Sequence, residues 1–136
     1  MKKIIGILFI TFLTLLAGCS KDPQPQDRFA DYVKLWNQQK FDKMYSYLSK
    51  DAKKDISKEQ FTTRYQKIYK DLEIKGLKIE FKKPKEEKRE KPVYTFTVNM
   101  TSMAGPINFS NKAVMKKQEK NWYVDWNPSF IFAKLQ

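Results

Sequence analysis

The stretch NWYVDWNPSFIFAKLQ, residues 121–136, decides how the rest of the sequence is interpreted. Trp122, Val124 and Trp126 alternate with more polar residues, which is the period of a strand with one buried face. An Asn-Pro pair then ends the alternation. Apolar residues return between Phe130 and Leu135, although chain ends are usually polar and frayed. This ending predicts a final segment that docks on a sheet, or a chain that continues into another domain.

The strand period occurs three more times upstream, at 77–81, 94–100 and 107–115. Residues 103–106 and 118–121 have turn composition, with Gly and Pro in the first and polar residues in the second. Short turns join antiparallel neighbours, so the sequence predicts about four antiparallel strands.

The charged stretch KKPKEEKREK, residues 82–91, separates the first two predicted strands. Charged connections usually lie on the surface, so we interpret it as a solvated loop. The alternative interpretation is a contact with a phosphate-rich wall polymer or with lipid headgroups. No internal repeat is visible in the sequence.

The region before the strands has the period of amphipathic helices. The first predicted helix has Asp27 as its N-cap, and Ser57 to Gln60 form a capping box that opens the third. The order of three helices followed by strands predicts an α+β domain with the helices on one face of an antiparallel sheet. The apolar helix positions are Phe29, Tyr32, Val33 and Trp36, then Phe41, Met44, Tyr45 and Leu48, then Phe61, Tyr65, Ile68, Tyr69 and Leu72.

The first 18 residues have the layout of a secretory signal peptide. Two lysines precede an apolar run of about 13 residues, which is shorter than the roughly 20 that a membrane-spanning helix needs. The sequence Leu16-Ala-Gly-Cys19 resembles a bacterial lipobox. That resemblance implies cleavage before Cys19 and attachment of diacylglycerol to its sulfur, with residues 19–27 as a lipidated, proline-containing linker. An uncleaved anchor is the alternative.

Net charge and compartment together limit the partners. The formal net charge is +12, and strongly basic proteins favour anionic partners. An export signal makes nucleic acid an unsuitable partner. We therefore expect the membrane, reached through the lipid anchor, and anionic lipid headgroups or an anionic wall polymer as partners, at the extracytoplasmic face of the cell membrane.

The residue types in the sequence exclude several kinds of chemistry. The chain contains no histidine, which removes Ser-His and Cys-His nucleophile pairs. No serine is followed by a lysine three positions later, the spacing of penicillin-reactive serines. We predict no catalytic, metal or cofactor-binding residue and no cofactor. Asp125 is expected to face solvent or to pair with a lysine or a tyrosine hydroxyl, and proton transfer in a polar pocket is the alternative.

Four segments together resemble one known module, and the match runs from about Asp27 to Leu135. The module is the N-terminal domain of the low-affinity class B penicillin-binding proteins of Gram-positive bacteria, which include the methicillin-resistance transpeptidase. The terminal WYVDW segment followed by Pro-Ser-Phe-Ile carries the most specific part of the resemblance. The segments are 32–37, 41–51, 56–69 and 122–131.

The resemblance implies a fold similar to nuclear transport factor 2, with three N-terminal helices packed in a curved, roughly four-stranded antiparallel sheet over residues 28–136. It also implies a non-catalytic spacer that lifts a C-terminal transpeptidase domain toward peptidoglycan. A lipobox in place of a membrane-spanning anchor departs from the resistance transpeptidase. The sequence also lacks the later domains, so it is either a leading fragment or a stand-alone lipoprotein that binds a small ligand or wall fragment in the cone. An enzyme of the ketosteroid-isomerase type is the third hypothesis.

Overall fold

The computed structural model describes residues 22–84 and 90–131 of the chain. Four helices come first and four strands follow, so the α+β architecture predicted from the sequence is confirmed. Two short 3₁₀ turns, Tyr45–Tyr47 and Pro128–Phe130, complete the described elements. The helices are α1 Pro25–Asn37, α2 Phe41–Met44, α3 Lys50–Asp55 and α4 Lys58–Asp71, and the strands are β1 Lys75–Lys82, β2 Val93–Ser102, β3 Gly105–Gln118 and β4 Asn121–Val124.

Helix α1 begins earlier than the sequence analysis predicted. Its N-cap is Gln24 and Pro25 occupies the first turn, so Asp27 lies inside the helix and the predicted Asp27 N-cap is wrong. Proline suits this position because its missing N–H would have no helical partner there and its φ is already helical. The folded domain therefore includes Pro25, which the sequence analysis assigned to the linker.

Two serines begin helices in the middle of the chain. Ser57 caps α4 through the amide of Gln60, and the Gln60 side chain accepts from the Ser57 amide, so the predicted capping box is confirmed. Ser49 caps α3 in the same manner, by accepting from the Ala52 amide at 3.1 Å. The sequence analysis did not predict α3, because its six residues are too few to show a helical period.

The four strands form an antiparallel meander in the order β1-β2-β3-β4. Long strand β3 bridges two pairings: its residues 105–114 lie beside β2, and residues 115–118 lie beside β4. The partner strand changes between Val114 and Met115. The Met115 amide donates to the carbonyl of Pro92, just before β2, whereas the Val114 carbonyl accepts from the amide of Asp125, just after β4. The sheet curls around the helices through this shared strand.

Other parts of the chain cover both edges of the sheet. The Asn37 side chain donates to the Ile79 carbonyl and accepts from the Ile79 amide, as a neighbouring strand would. At the opposite edge the Ser49 amide donates to the Val124 carbonyl at 2.8 Å. Unpaired edges invite pairing with other chains, so these contacts limit edge-to-edge association.

The hydrophobic core lies between the helices and the concave face of the sheet. Trp122, Val124 and Trp126 are all buried, as the alternation in this segment predicted. Phe130 is fully buried, and its ring centroid lies 5.2 Å from that of Phe96, so the first part of the predicted final segment packs on the sheet. Residues 132–136 lie outside the described residues. No helix within 22–84 or 90–131 combines the length and apolarity needed to cross a bilayer.

Candidate functional site

The helices and the concave face of the curled sheet enclose a cone-shaped interior, which we call the cone. Aromatic side chains fill this interior. Phe29 of α1 stacks on Tyr94 of β2 at a centroid distance of 5.5 Å. Phe61 of α4 packs edge-on against Trp126 at 5.2 Å. Such edge and offset contacts are the favoured arrangements of aromatic rings. The fully buried large side chains are Trp36, Tyr32, Tyr65, Tyr94, Phe29, Phe61, Phe96, Phe130, Met44, Leu48, Met115 and Val98.

Neutral hydrogen bonds join the polar atoms in this interior. The Trp36 indole N–H donates to the Tyr69 hydroxyl at 2.7 Å, and the Trp126 indole N–H donates to the Tyr65 hydroxyl at 3.0 Å. The Tyr32 hydroxyl lies close to the Tyr65 hydroxyl, but it forms no hydrogen bond with any of the described residues. These two indoles can thus be buried at low cost, because a phenol oxygen accepts from each indole N–H.

Burial also controls the ionisation of these phenols. It raises the pKa of Tyr32, Tyr65 and Tyr69 well above the usual value, because a phenolate would be poorly solvated in the core. These hydroxyls are therefore protonated at neutral pH and cannot act as bases. Within the part of the chain that the structure describes, the only buried polar or charged residues outside the hydrophobic core set are Ser49 and Ser102, neither of which is ionised.

Asp125 lies on the outer side of its segment, opposite Val124 and Trp126, rather than in the cone. One carboxylate oxygen accepts from Ser49 Oγ at 3.1 Å, and the other lies 3.2 Å from Lys116 Nζ. The predicted pairing of Asp125 with a lysine is therefore confirmed. About a third of both charged side chains is exposed, 32% for Asp125 and 34% for Lys116.

Lys116 connects this carboxylate to a second one on α3. Its Nζ lies 3.3 Å from Asp51 Oδ2, and Lys54 Nζ lies 3.1 Å from Asp51 Oδ1. The hydrogen bond to Asp125 is the main cause that raises the pKa of Lys116. The hydrogen bond from Lys54, followed by that from Lys116, lowers the pKa of Asp51. We call Ser49, Asp51, Lys116 and Asp125 the outer junction, and its contacts hold α3 on the sheet.

Two surface grooves flank the cone. The larger has a volume of about 540 Å³ and runs along α4, where Arg64 and Lys67 face the segment from Trp126 to Pro128. The smaller has a volume of about 390 Å³ and lies where the chain begins the domain, between Asp22 and Pro25 on one side and Lys117 with Trp122 on the other. The lining of the larger groove also includes the exposed ion pair of Lys67 Nζ with Asp71 Oδ2 at 2.9 Å.

Several sequence predictions concern residues outside the described ranges. Cys19 lies there, so lipid attachment stays a prediction, and so does the role of the central part of the charged loop 82–91. Among the described residues, no three metal-binding side chains of the His, Cys, Asp or Glu type lie close together. Sequence reasoning missed Ser49, and only its position before the short polar run 50–55 could have suggested a cap.

Comparison with known proteins agrees with this geometry. A family model described as the NTF2-like N-terminal transpeptidase domain matches residues 24–136, almost all of the described chain. Penicillin-binding protein 3 of Bacillus subtilis (strain 168) is 41% identical over 143 residues, which cover 99% of this chain and 21% of that protein. The chain thus spans about a fifth of the length of this relative. With its N-terminal helices, curled four-stranded sheet and matching sequence, the chain belongs to the family of NTF2-like N-terminal transpeptidase domains.

Proposed function

We propose that the chain is a non-catalytic spacer and docking domain of a membrane-tethered penicillin-binding protein that acts in peptidoglycan synthesis and β-lactam resistance. The transpeptidase activity would belong to a separate, C-terminal domain of that protein. The domain would work at the extracytoplasmic face of a Gram-positive cell membrane, with a lipid on Cys19. The observation that carries the proposal is the family match over a cone whose interior is filled.

A spacer must fix both of its ends, and the contacts support that role. Near the start of α1, Arg28 Nε donates to the Trp122 carbonyl at 3.1 Å, and the Arg28 guanidinium stacks over Tyr47 at 4.2 Å. Near the last described residue, Phe130 is fully buried, and Asn111 donates to the Ser129 carbonyl at 3.0 Å. Both ends are thus held to the sheet, so the domain would act as a rigid spacer.

The surface beside α4 is suited to docking. Its groove includes Trp126, Asn127 and Pro128, which lead directly to the buried Phe130. A domain that follows in the chain would therefore start next to this groove. The lining mixes apolar Ile56 with charged groups of both signs, a composition common at interfaces between domains.

Reaction with a fluorescent penicillin tests the non-catalytic assignment. The isolated chain should show no covalent labelling, because it contains neither histidine nor a Ser-x-x-Lys turn. The full-length Bacillus subtilis relative would serve as the positive control in the same gel. Labelling of the isolated chain that survives denaturation would overturn the proposal.

Cell fractionation tests the tether. The variant Cys19→Ser should move from the membrane fraction to the soluble fraction, because it cannot carry a thioether-linked lipid. The control Ser20→Ala keeps the cysteine and should remain with the membrane. If Cys19→Ser stays in the membrane fraction, the N-terminal segment is an uncleaved anchor and the lipid proposal is wrong.

A further inference from the structure

The smaller groove marks the end of the domain at which the chain begins to fold. Asp22 and Pro25 line it together with Pro92, Lys117 and Trp122. Pro92 directly precedes β2, and its carbonyl accepts from Met115 of β3. The first described residues and the start of β2 therefore lie at the same end of the sheet.

Five exposed lysines lie at this end. Lys82 and Lys112 flank Thr95 in the register of the sheet, one on each neighbouring strand. Lys91 precedes Pro92, and Lys117 lines the groove. The full set, which we call the lysine end, consists of Lys82, Lys83, Lys91, Lys112 and Lys117.

The lysine end is available for an external anion. All five side chains are exposed, and none forms an ion pair with a carboxylate of the described residues. Among the residues that the structure describes in these segments, Asp22 and Glu90 are acidic, so positive charge is in excess. In contrast, Lys116 of the outer junction and the neighbouring Lys54 are paired with carboxylates.

The opposite end of the domain is defined by the turn between β2 and β3. The Met103 amide there donates to the Leu72 carbonyl at the end of α4, and Lys75 lies beside Thr101. Strand β2 has 10 residues, and at about 3.4 Å per residue it separates the two ends by roughly 34 Å. Lys70 and Lys75 at this far end provide matched controls for the lysine end.

We propose that the lysine end docks on anionic lipid headgroups and sets the orientation of the domain on the bilayer. The inference rests on the proposed lipid at Cys19. Asp22 is three positions after Cys19, and even fully extended this stretch spans no more than about 11 Å. The lysine end is therefore the part of the described domain held nearest to the membrane. This span is comparable with the screening length of about 8 Å at physiological salt, so anionic headgroups would still attract basic groups beside Asp22, such as Lys117 in the same groove.

This orientation has a consequence for the spacer. Docking at the lysine end directs the turn at Met103, with its side chain 67% exposed, away from the bilayer. The longest dimension of the sheet then stands off the membrane rather than lying along it. Anionic headgroups would thus fix the height of whatever the domain carries.

The test couples the mature chain through its single cysteine, Cys19, to a maleimide lipid in vesicles. The core residues run from Phe29 to Ile131, so this form keeps the whole core. Chemical coupling supplies the tether even if cells do not acylate Cys19, which separates failure of this inference from failure of the proposed function. The readout is quenching of tryptophan fluorescence by headgroup spin labels, because Trp122 lines the groove at the lysine end.

Wild type should be quenched about two-fold more strongly on vesicles that contain phosphatidylglycerol than on pure phosphatidylcholine. About 1 M NaCl should abolish the difference, since the screening length falls to about 3 Å. The double variant Lys82→Glu/Lys91→Glu should lose it, whereas Lys70→Glu/Lys75→Glu should keep it. Neither pair includes Lys117, which stacks on Trp122.

Two results would overturn the inference. One is equal quenching of wild type on neutral and anionic vesicles. The other is an equal loss in the far-end control, which would mean that total charge rather than the lysine end directs the binding. Loss of the extra quenching on anionic vesicles when a dilute polyglycerol-phosphate polymer is added would identify a wall polymer, not the bilayer, as the preferred anion, and would also contradict the proposal.

Discussion

The interior of the cone and the outer junction hold polar atoms in opposite ways. In the interior, uncharged phenols and indoles pair with one another among fully buried rings. At the outer junction, Lys116 pairs with two carboxylates at sites that are about a third exposed or more. Water must solvate charged groups but can be removed from neutral ones that keep a partner. The comparison indicates that contacts in the interior determine whether the domain folds. The outer junction contributes only to the attachment of α3 to the sheet.

Among the changes that test this comparison, alkaline pH should have the largest effect on the stability of the domain. The pKa values of Tyr32, Tyr65 and Tyr69 are raised in the folded state, whereas an unfolded chain has tyrosines near pKa 10. The unfolded state therefore loses protons first as pH rises, so this stabilisation is complete below about pH 10 and is lost progressively above it. The domain should unfold in alkali.

Tyrosinate absorbance and circular dichroism, recorded together, measure this transition. A late rise in tyrosinate absorbance should coincide with the loss of helical signal, because the buried phenols ionise only on unfolding. Complete ionisation of the seven tyrosines with an unchanged helical signal would mean that the interior admits water.

Truncation of Trp126 should produce the next largest effect. The ring is 5% exposed, packs on Phe61 and donates to Tyr65, so Trp126→Ala should lower the free energy of unfolding by about 3–5 kcal/mol. Urea denaturation measures this loss. Met103→Ala is the matched control at a side chain that is 67% exposed, and it should change the value by less than about 0.5 kcal/mol. A wild-type midpoint for Trp126→Ala would show that the ring is not part of the core.

Two tyrosine variants separate packing from hydrogen bonding within the interior. Tyr69→Phe leaves the Trp36 N–H without its acceptor, and an unpaired buried donor costs about 1–3 kcal/mol. Tyr32→Phe removes a hydroxyl that lacks hydrogen-bond geometry, so stability should stay the same or rise. Thermal unfolding of the two variants compares them directly. Equal destabilisation would mean that the Tyr32 hydroxyl has a partner, for example an internal water.

The sequence predicted those parts of the fold that depend on residues close together in the chain. The capping box at Ser57 spans three residues, and the alternation from Trp122 to Trp126 follows from the strand period alone. The start of α1 was misplaced because a proline in the first turn and an aspartate compete as local signals, and the proline begins this helix. Local chemistry therefore fixed the type of each element better than its first residue.

The candidate site depended on contacts that no local pattern reveals. Ser49 and Asp125 are 76 residues apart, and Arg28 reaches a carbonyl 94 residues away. Such pairs form only after the sheet curls, so neither charge nor spacing in the sequence predicts them. The filled interior was predictable as a set of apolar residues, but the pairing of each indole with a particular phenol was not.

The smallest effect should come from Asp125→Asn at the outer junction. The substitution removes the charge that faces Lys116 but keeps an oxygen that can accept from Ser49. Because both charged groups are about a third exposed, the loss should be no more than about 1 kcal/mol, and about 1 M NaCl should screen most of it. Asp31→Asn, at an exposed α1 residue without an ion pair among the described residues, controls for net charge. A loss as large as that of Trp126→Ala would place the junction among the determinants of the fold, and the division between a neutral interior and a charged attachment would no longer hold.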